Sequence, residues 1–132
     1  GDSKAKGMCV GPQNAEETEQ TYDTLDKQMD DPYSIYNFVK QTISIRNAFP
    51  EIARGTNTFE KDLSNENVCI FTREYNGEKA VLVFNPSKDE ASVDVSSLGI
   101  NDAVAMLQTT KKAPSYKDGT AKLPAYSVLV LK

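Results

Sequence analysis

The run DDPYSIYNFVKQTISIRNAFPEIARG, positions 30–55, governs how the rest of the chain is read. Asp31 stands as an N-cap, with Pro32 at the first helical position, where a missing N–H costs nothing. Ile35, Phe38, Val39, Thr42, Ile45 and Phe49 then recur at steps of three and four residues. That spacing predicts one amphipathic helix of roughly four turns. Pro50 reads as its stop, and short β-type runs follow. Arg46 falls inside the stripe, between the Thr42 and Phe49 positions. A guanidinium there calls for a carboxylate or a cluster of carbonyls.

Downstream of the helix the punctuation is that of an all-β domain. Asn76-Gly77, between CIFTREY and EKAVLVF, is a hairpin signal, because a type I′ turn needs positive φ at both central positions. Pro86 ends the strand that precedes it, since proline cannot donate to a ladder, and Asn85 beside it is expected to turn the strand end through its side chain. Ala91–Val95 and Ala103–Leu107 alternate, Asp118-Gly119 marks a second tight turn, and Pro124 separates two short strands. Six or more strands at this spacing predict a sandwich rather than a parallel sheet. Upstream, residues 1–23 carry glycines and an acidic patch without periodicity and read as loop.

Composition narrows the chemistry. A chain of 132 residues holds one domain with an appendage and not a (β/α)8 barrel of ~250 residues. Its formal charge of −4 and lack of a basic stripe argue against nucleic-acid binding. No apolar run approaches the ~18 residues of a membrane span. With no histidine, Ser-His-Asp and Cys-His catalysis are excluded, as is a zinc site built from His and Cys. Cys69 lies in a β-run and reads as a small buried thiol; a Cys9–Cys69 disulfide is the alternative. The adjacent acids Asp30-Asp31 and Glu16-Glu17 read as helix-start and solvated charges. A retaining glycosidase pair would need ~5 Å separation inside a cleft.

The helix resembles the last helix of the catalytic barrel in α-amylase-type glycoside hydrolases, where a DP-(D/N)-S-(L/I) opening leads through IR-N to P-x-(I/L)-x-x-G. The likeness continues through NVCIFTREY (67–75), AVLVFNPS (80–87) and LPAYSVLVLK (123–132) and covers positions 24 to 132. It implies a mainly β fold, an antiparallel Greek-key β-sandwich preceded by one amphipathic helix. Residues 1–49 would be the tail of the barrel and residues 50–132 the C-terminal β-domain. It further implies that the nucleophile, acid/base and third carboxylate of such enzymes lie upstream of Gly1, so that this chain carries no catalytic residue. The start at Gly1, without Met, fits a processed piece. No cofactor is expected in the chain, and the calcium common in the family would be bound upstream.

Two functions follow from the resemblance. In the first, the sandwich packs on the barrel of the same polypeptide and stabilises it, in a parent that degrades starch-like α-glucan, with an extracytoplasmic or secreted location favoured over a cytoplasmic one but not fixed by the sequence. In the second, the sandwich binds carbohydrate. Without tryptophan, a sugar platform would have to be a tyrosine, and Tyr116, in a Pro-Ser-Tyr-Lys-Asp-Gly turn, is the candidate. Tyr126 is expected in the core or an interface, and Tyr33 and Tyr36 against the barrel. A free-standing adhesion-type sandwich is a third reading. With the barrel absent, the apolar stripe should fold back on its own sandwich or pair two copies in a homodimer.

Overall fold

Among the described residues, the segments between these turn signals form eight strands in two antiparallel sheets. The computed structural model describes residues 21–132, so Cys9 and the Glu16-Glu17 pair lie outside the described residues. In chain order the strands are β1 Thr56–Phe59, β2 Cys69–Tyr75, β3 Glu78–Asn85, β4 Ala91–Asp94, β5 Ala103–Leu107, β6 Ser115–Lys117, β7 Thr120–Leu123 and β8 Ser127–Leu131. One sheet has the order β1-β2-β3-β8-β5 and the other β4-β7-β6. The chain passes between sheets at β3–β4, β4–β5, β5–β6 and β7–β8. Non-consecutive strands thus become neighbours, as in a Greek key and unlike a meander.

Both predicted tight turns form. Asn76 and Gly77 have φ of 52° and 81°, and Tyr75 pairs with Glu78 across them. Asp118 and Gly119 repeat the geometry between Lys117 and Thr120. Positive φ at both central residues matches the twist of the flanking strands. Pairing then fixes the faces. Ile70, Val83 and Leu129 are partners across β2, β3 and β8, as are Val81 and Leu131. They point inward to Ala121 and Leu123 of the second sheet and form the core with Val68, Val95 and Ile100. Asn85 seals one edge of this core. Its amide donates to the carbonyls of Asp89, Leu123 and Pro124 at 2.8–3.1 Å, and its Oδ1 accepts from the Ser87 backbone N–H and hydroxyl.

The N-terminal helix differs from its prediction in four respects. Among the described residues it is preceded by a short helix, α1 Leu25–Asp30, matching the one helical turn that Leu25–Met29 suggests, and followed by another, α3 Pro50–Arg54, which was not expected. The long helix, α2, runs Ile35–Ala48, and its N-cap is Ser34, whose Oγ accepts from the Asn37 N–H. Asp31 instead forms an Asx turn, accepting from the Tyr33 N–H at 2.9 Å. Pro50 ends α2 and at the same time begins α3 as its first residue, a position that suits proline's missing N–H and fixed φ. Arg46 is exposed in the last turn of α2, where a cation complements the helix dipole and needs no buried partner.

Candidate functional site

Among the described residues, two apolar surfaces outside the core stand open. The first is on α2. Ile35, Val39 and Ile43, spaced by four residues, are 49%, 49% and 55% exposed. With Gln28, Tyr36 and Lys40 they line a shallow groove of about 440 Å³. This splits the predicted stripe, for Phe38, Ile45 and Phe49 are half-buried on the side toward the sandwich and α3. The groove is held open by polar stapling of α1 to α2. The Asn37 amide donates to the carbonyls of Gln28, Met29 and Asp31, and the Ser34 hydroxyl donates to the Gln28 carbonyl at 2.6 Å.

The second surface is the outer face of the five-stranded sheet. Phe59, Phe71 and Leu82 are register partners across β1, β2 and β3, and Phe84 lies one pair further along. Their rings form a ladder, Phe59 to Phe71 at 5.3 Å between centroids and Phe71 to Phe84 edge-on at 5.9 Å. Such pairs favour tilted and edge-to-face geometry. Phe84 also belongs to a second groove, of about 280 Å³, with Phe38, Pro86, Tyr126 and Val128. A strip of apolar surface therefore crosses the sheet from Phe59 to Phe38. Cys69, paired with Phe84, sits on this face as a free, half-buried thiol.

Between these surfaces lies the joint that carries α3. Glu51 is 2% exposed, and Lys132 Nζ stands 2.6 Å from its Oε1, a close ion pair without hydrogen-bond alignment. The same ammonium lies 3.3 Å from Glu78 and 5.9 Å from the centre of the Phe49 ring. Arg73 donates to the carbonyls of Glu51 and Ile52. Burial of the Glu51 carboxyl works to raise its pKa. The Lys132 ammonium and its own backbone N–H outweigh that and hold it below the ordinary glutamate value. Lys132 is correspondingly raised, first by Glu51. Gly55 closes the joint, since a Cβ there would come within 2.3 Å of the Glu51 carbonyl oxygen and 2.8 Å of that of Glu74. None of this was signalled locally in the sequence.

Tyr116 falls elsewhere than expected, and Tyr126 is not in the core. Tyr116 is the central residue of β6, not a loop residue. It is half-buried against the core, and its hydroxyl donates to the Ile100 carbonyl at 2.8 Å. Tyr126 is 52% exposed, because β8 begins only after it and residue 126 makes the turn from β7 with φ of 51°. Tyr36 lines the α2 groove, and Tyr33 is half-buried nearby. Asp30 and Asp31 are both exposed, as charges at a helix start are. Among the described residues, the geometry is that of open apolar grooves with no paired carboxylates inside them.

Comparison with known proteins places this geometry. Residues 62–130 match the profile of the maltogenic amylase C-terminal domain. Amy13B of Eubacterium rectale is similar over 100% of this chain at 95% identity, with a TM-score of 0.89. Trehalulose synthase MutB of Pseudomonas mesoacidophila MX-45 is similar over 81% of the chain at 25% identity, with a TM-score of 0.67. The chain spans only 26% of the length of the former and 19% of the latter. A comparison with curated protein sequences gives no match. The chain belongs to the maltogenic amylase C-terminal domain family and carries the C-terminal domain of an α-amylase-family glycoside hydrolase.

Proposed function

We propose that this chain is the non-catalytic C-terminal portion of an enzyme acting on starch-like α-glucan, and that its role is to pack on and stabilise the catalytic barrel of the same polypeptide. In this reading residues up to Phe49 are the tail of the barrel, a loop and its last helix, and residues from Pro50 onward the C-terminal β-domain. The observation that carries it is the open face of α2. Ile35, Val39 and Ile43 expose about half of their surface in a helix whose neighbouring side, at Phe38, already meets the sandwich. A stripe of that kind on a soluble chain marks a contact surface. Most of the length of the similar Amy13B chain lies outside the part aligned here, which supplies an occupant. Burying each of these side chains would contribute about 1.5–3 kcal/mol before the entropy of docking.

The test is reassembly. The chain, mixed with the separately produced upstream portion of the polypeptide, should co-elute with it and raise its melting temperature, and should show no α-glucosidase turnover alone. Failure to associate, with the upstream portion equally stable alone, would contradict the proposal.

A further inference from the structure

We propose that α3 is an acid-releasable clasp that sets the angle between α2 and the sandwich, closed by the Glu51–Lys132 pair. The inference rests on the barrel reading only for its consequence, since a clasp here would fix how the sandwich is held against whatever covers α2. Three features of the joint make α3 a clasp and not a passive linker. It is tied at its carbonyl end by Arg73 of β2, which donates to Glu51 and Ile52. It approaches β2 so closely at Gly55 that a Cβ cannot be inserted without moving backbone. Its one buried side chain is a carboxylate, paired with a lysine directly after β8. The first two contacts are neutral to pH, and the third is not.

The charged groups around Glu51 come from each packed element. Lys132 follows β8, Arg73 comes from β2 and Glu78 from β3, and Arg46 at the end of α2 is exposed. Glu78 is a surface carboxylate 3.3 Å from the same Lys132 ammonium. The sign then follows. Glu51 has a depressed folded pKa, so its contribution is present above the ordinary glutamate value of 4.5 and is lost as pH falls through the lower folded value. Lys132 has a raised folded pKa, so its contribution is present below 10.5 and is lost as pH rises through the higher folded value. Between those limits the clasp is shut. In acid, Glu51 becomes neutral, the ion pair with Lys132 is lost, and α3 keeps only its bonds from Arg73 and the close approach at Gly55.

The experiment places spin labels at Lys40→Cys on α2 and Lys122→Cys on β7, in the 132-residue chain with Cys9→Ser and Cys69→Ser. The inter-label distance distribution is measured near pH 7 and at steps down to about pH 2.5, well under the ordinary glutamate value, beside far-ultraviolet circular dichroism. The expected result is a narrow distribution at neutral pH that broadens about twofold in acid while the β signal is retained. Glu51→Gln should be broad at every pH, and Glu78→Gln should behave as the unsubstituted chain. If Glu51→Gln does not fold, Lys132→Gln gives the same reading at neutral pH. A Glu51→Gln or Lys132→Gln chain as narrow as the original would overturn the proposal. So would acid broadening that survives Glu51→Gln, or that occurs only with loss of the β signal. Because the chain is tested alone, these outcomes are independent of whether a barrel docks on α2.

Discussion

The two faces of the five-stranded sheet are built from similar residues and are covered very differently. On the inner face Ile70, Val81, Val83, Leu129 and Leu131 have no exposed surface. On the outer face Phe71, Leu82 and Phe84 are half-buried and Phe59 is 48% exposed. The inner face is closed by β4 and β7 of the same chain, whereas α2 and α3 shade only part of the outer one. Period-two alternation says which residues share a face. It does not say whether the cover for that face lies in the same chain. The near-continuous runs AVLVF and SVLVL do say that both faces are to be covered, because a strand with one wet face alternates.

Substitutions on the two faces should sharpen this contrast. Leu129→Ala, in the sealed face, should cost about 2–5 kcal/mol in urea unfolding of the chain, the transfer term plus an unfilled cavity. Asn85→Ala should cost about 2–3 kcal/mol by the same measurement, because it strands three carbonyls and the Ser87 N–H at the core edge. Tyr116→Phe should cost about 1 kcal/mol through the lost bond to Ile100, read as a shift in the unfolding midpoint. At the open end of the scale, Val39→Ser with Ile43→Ser should change the stability of this chain by less than about 0.5 kcal/mol. An open-face cost as large as that at Leu129 would erase the distinction between the faces.

Most of the sandwich was legible because its signals are local. The hairpins follow from Asn76-Gly77 and Asp118-Gly119, and the long helix from its three- and four-residue spacing. β1 was missed because TNTF shows no alternation and is exposed throughout. β6 was read as a turn because SYK runs straight into Asp118-Gly119, although Tyr116 turns inward to the core. The helix stripe was read one row off. Ile43 was omitted and Arg46 included, because spacing alone cannot say which side of a broad apolar face meets the sandwich. The joint was the least legible region. Glu51 looks like any first-turn acid, which N-terminal helix dipoles favour. Its burial depends on Lys132 and Arg73, both distant in sequence, and on a glycine whose need appears only when two backbones meet.

The docking account meets its most direct test in one substitution placed in two contexts. Val39→Asp with Ile43→Asp puts two carboxylates on the open face of α2, and thermal unfolding is followed for this chain and for the full-length polypeptide. The account predicts a shift below about 2 °C in the chain, where water already reaches both positions, and a loss of roughly 8 °C or more in the full-length protein, where each buried charge would be unpaired. Equal shifts in the two contexts would contradict it, for they would mean that nothing beyond this chain covers the face.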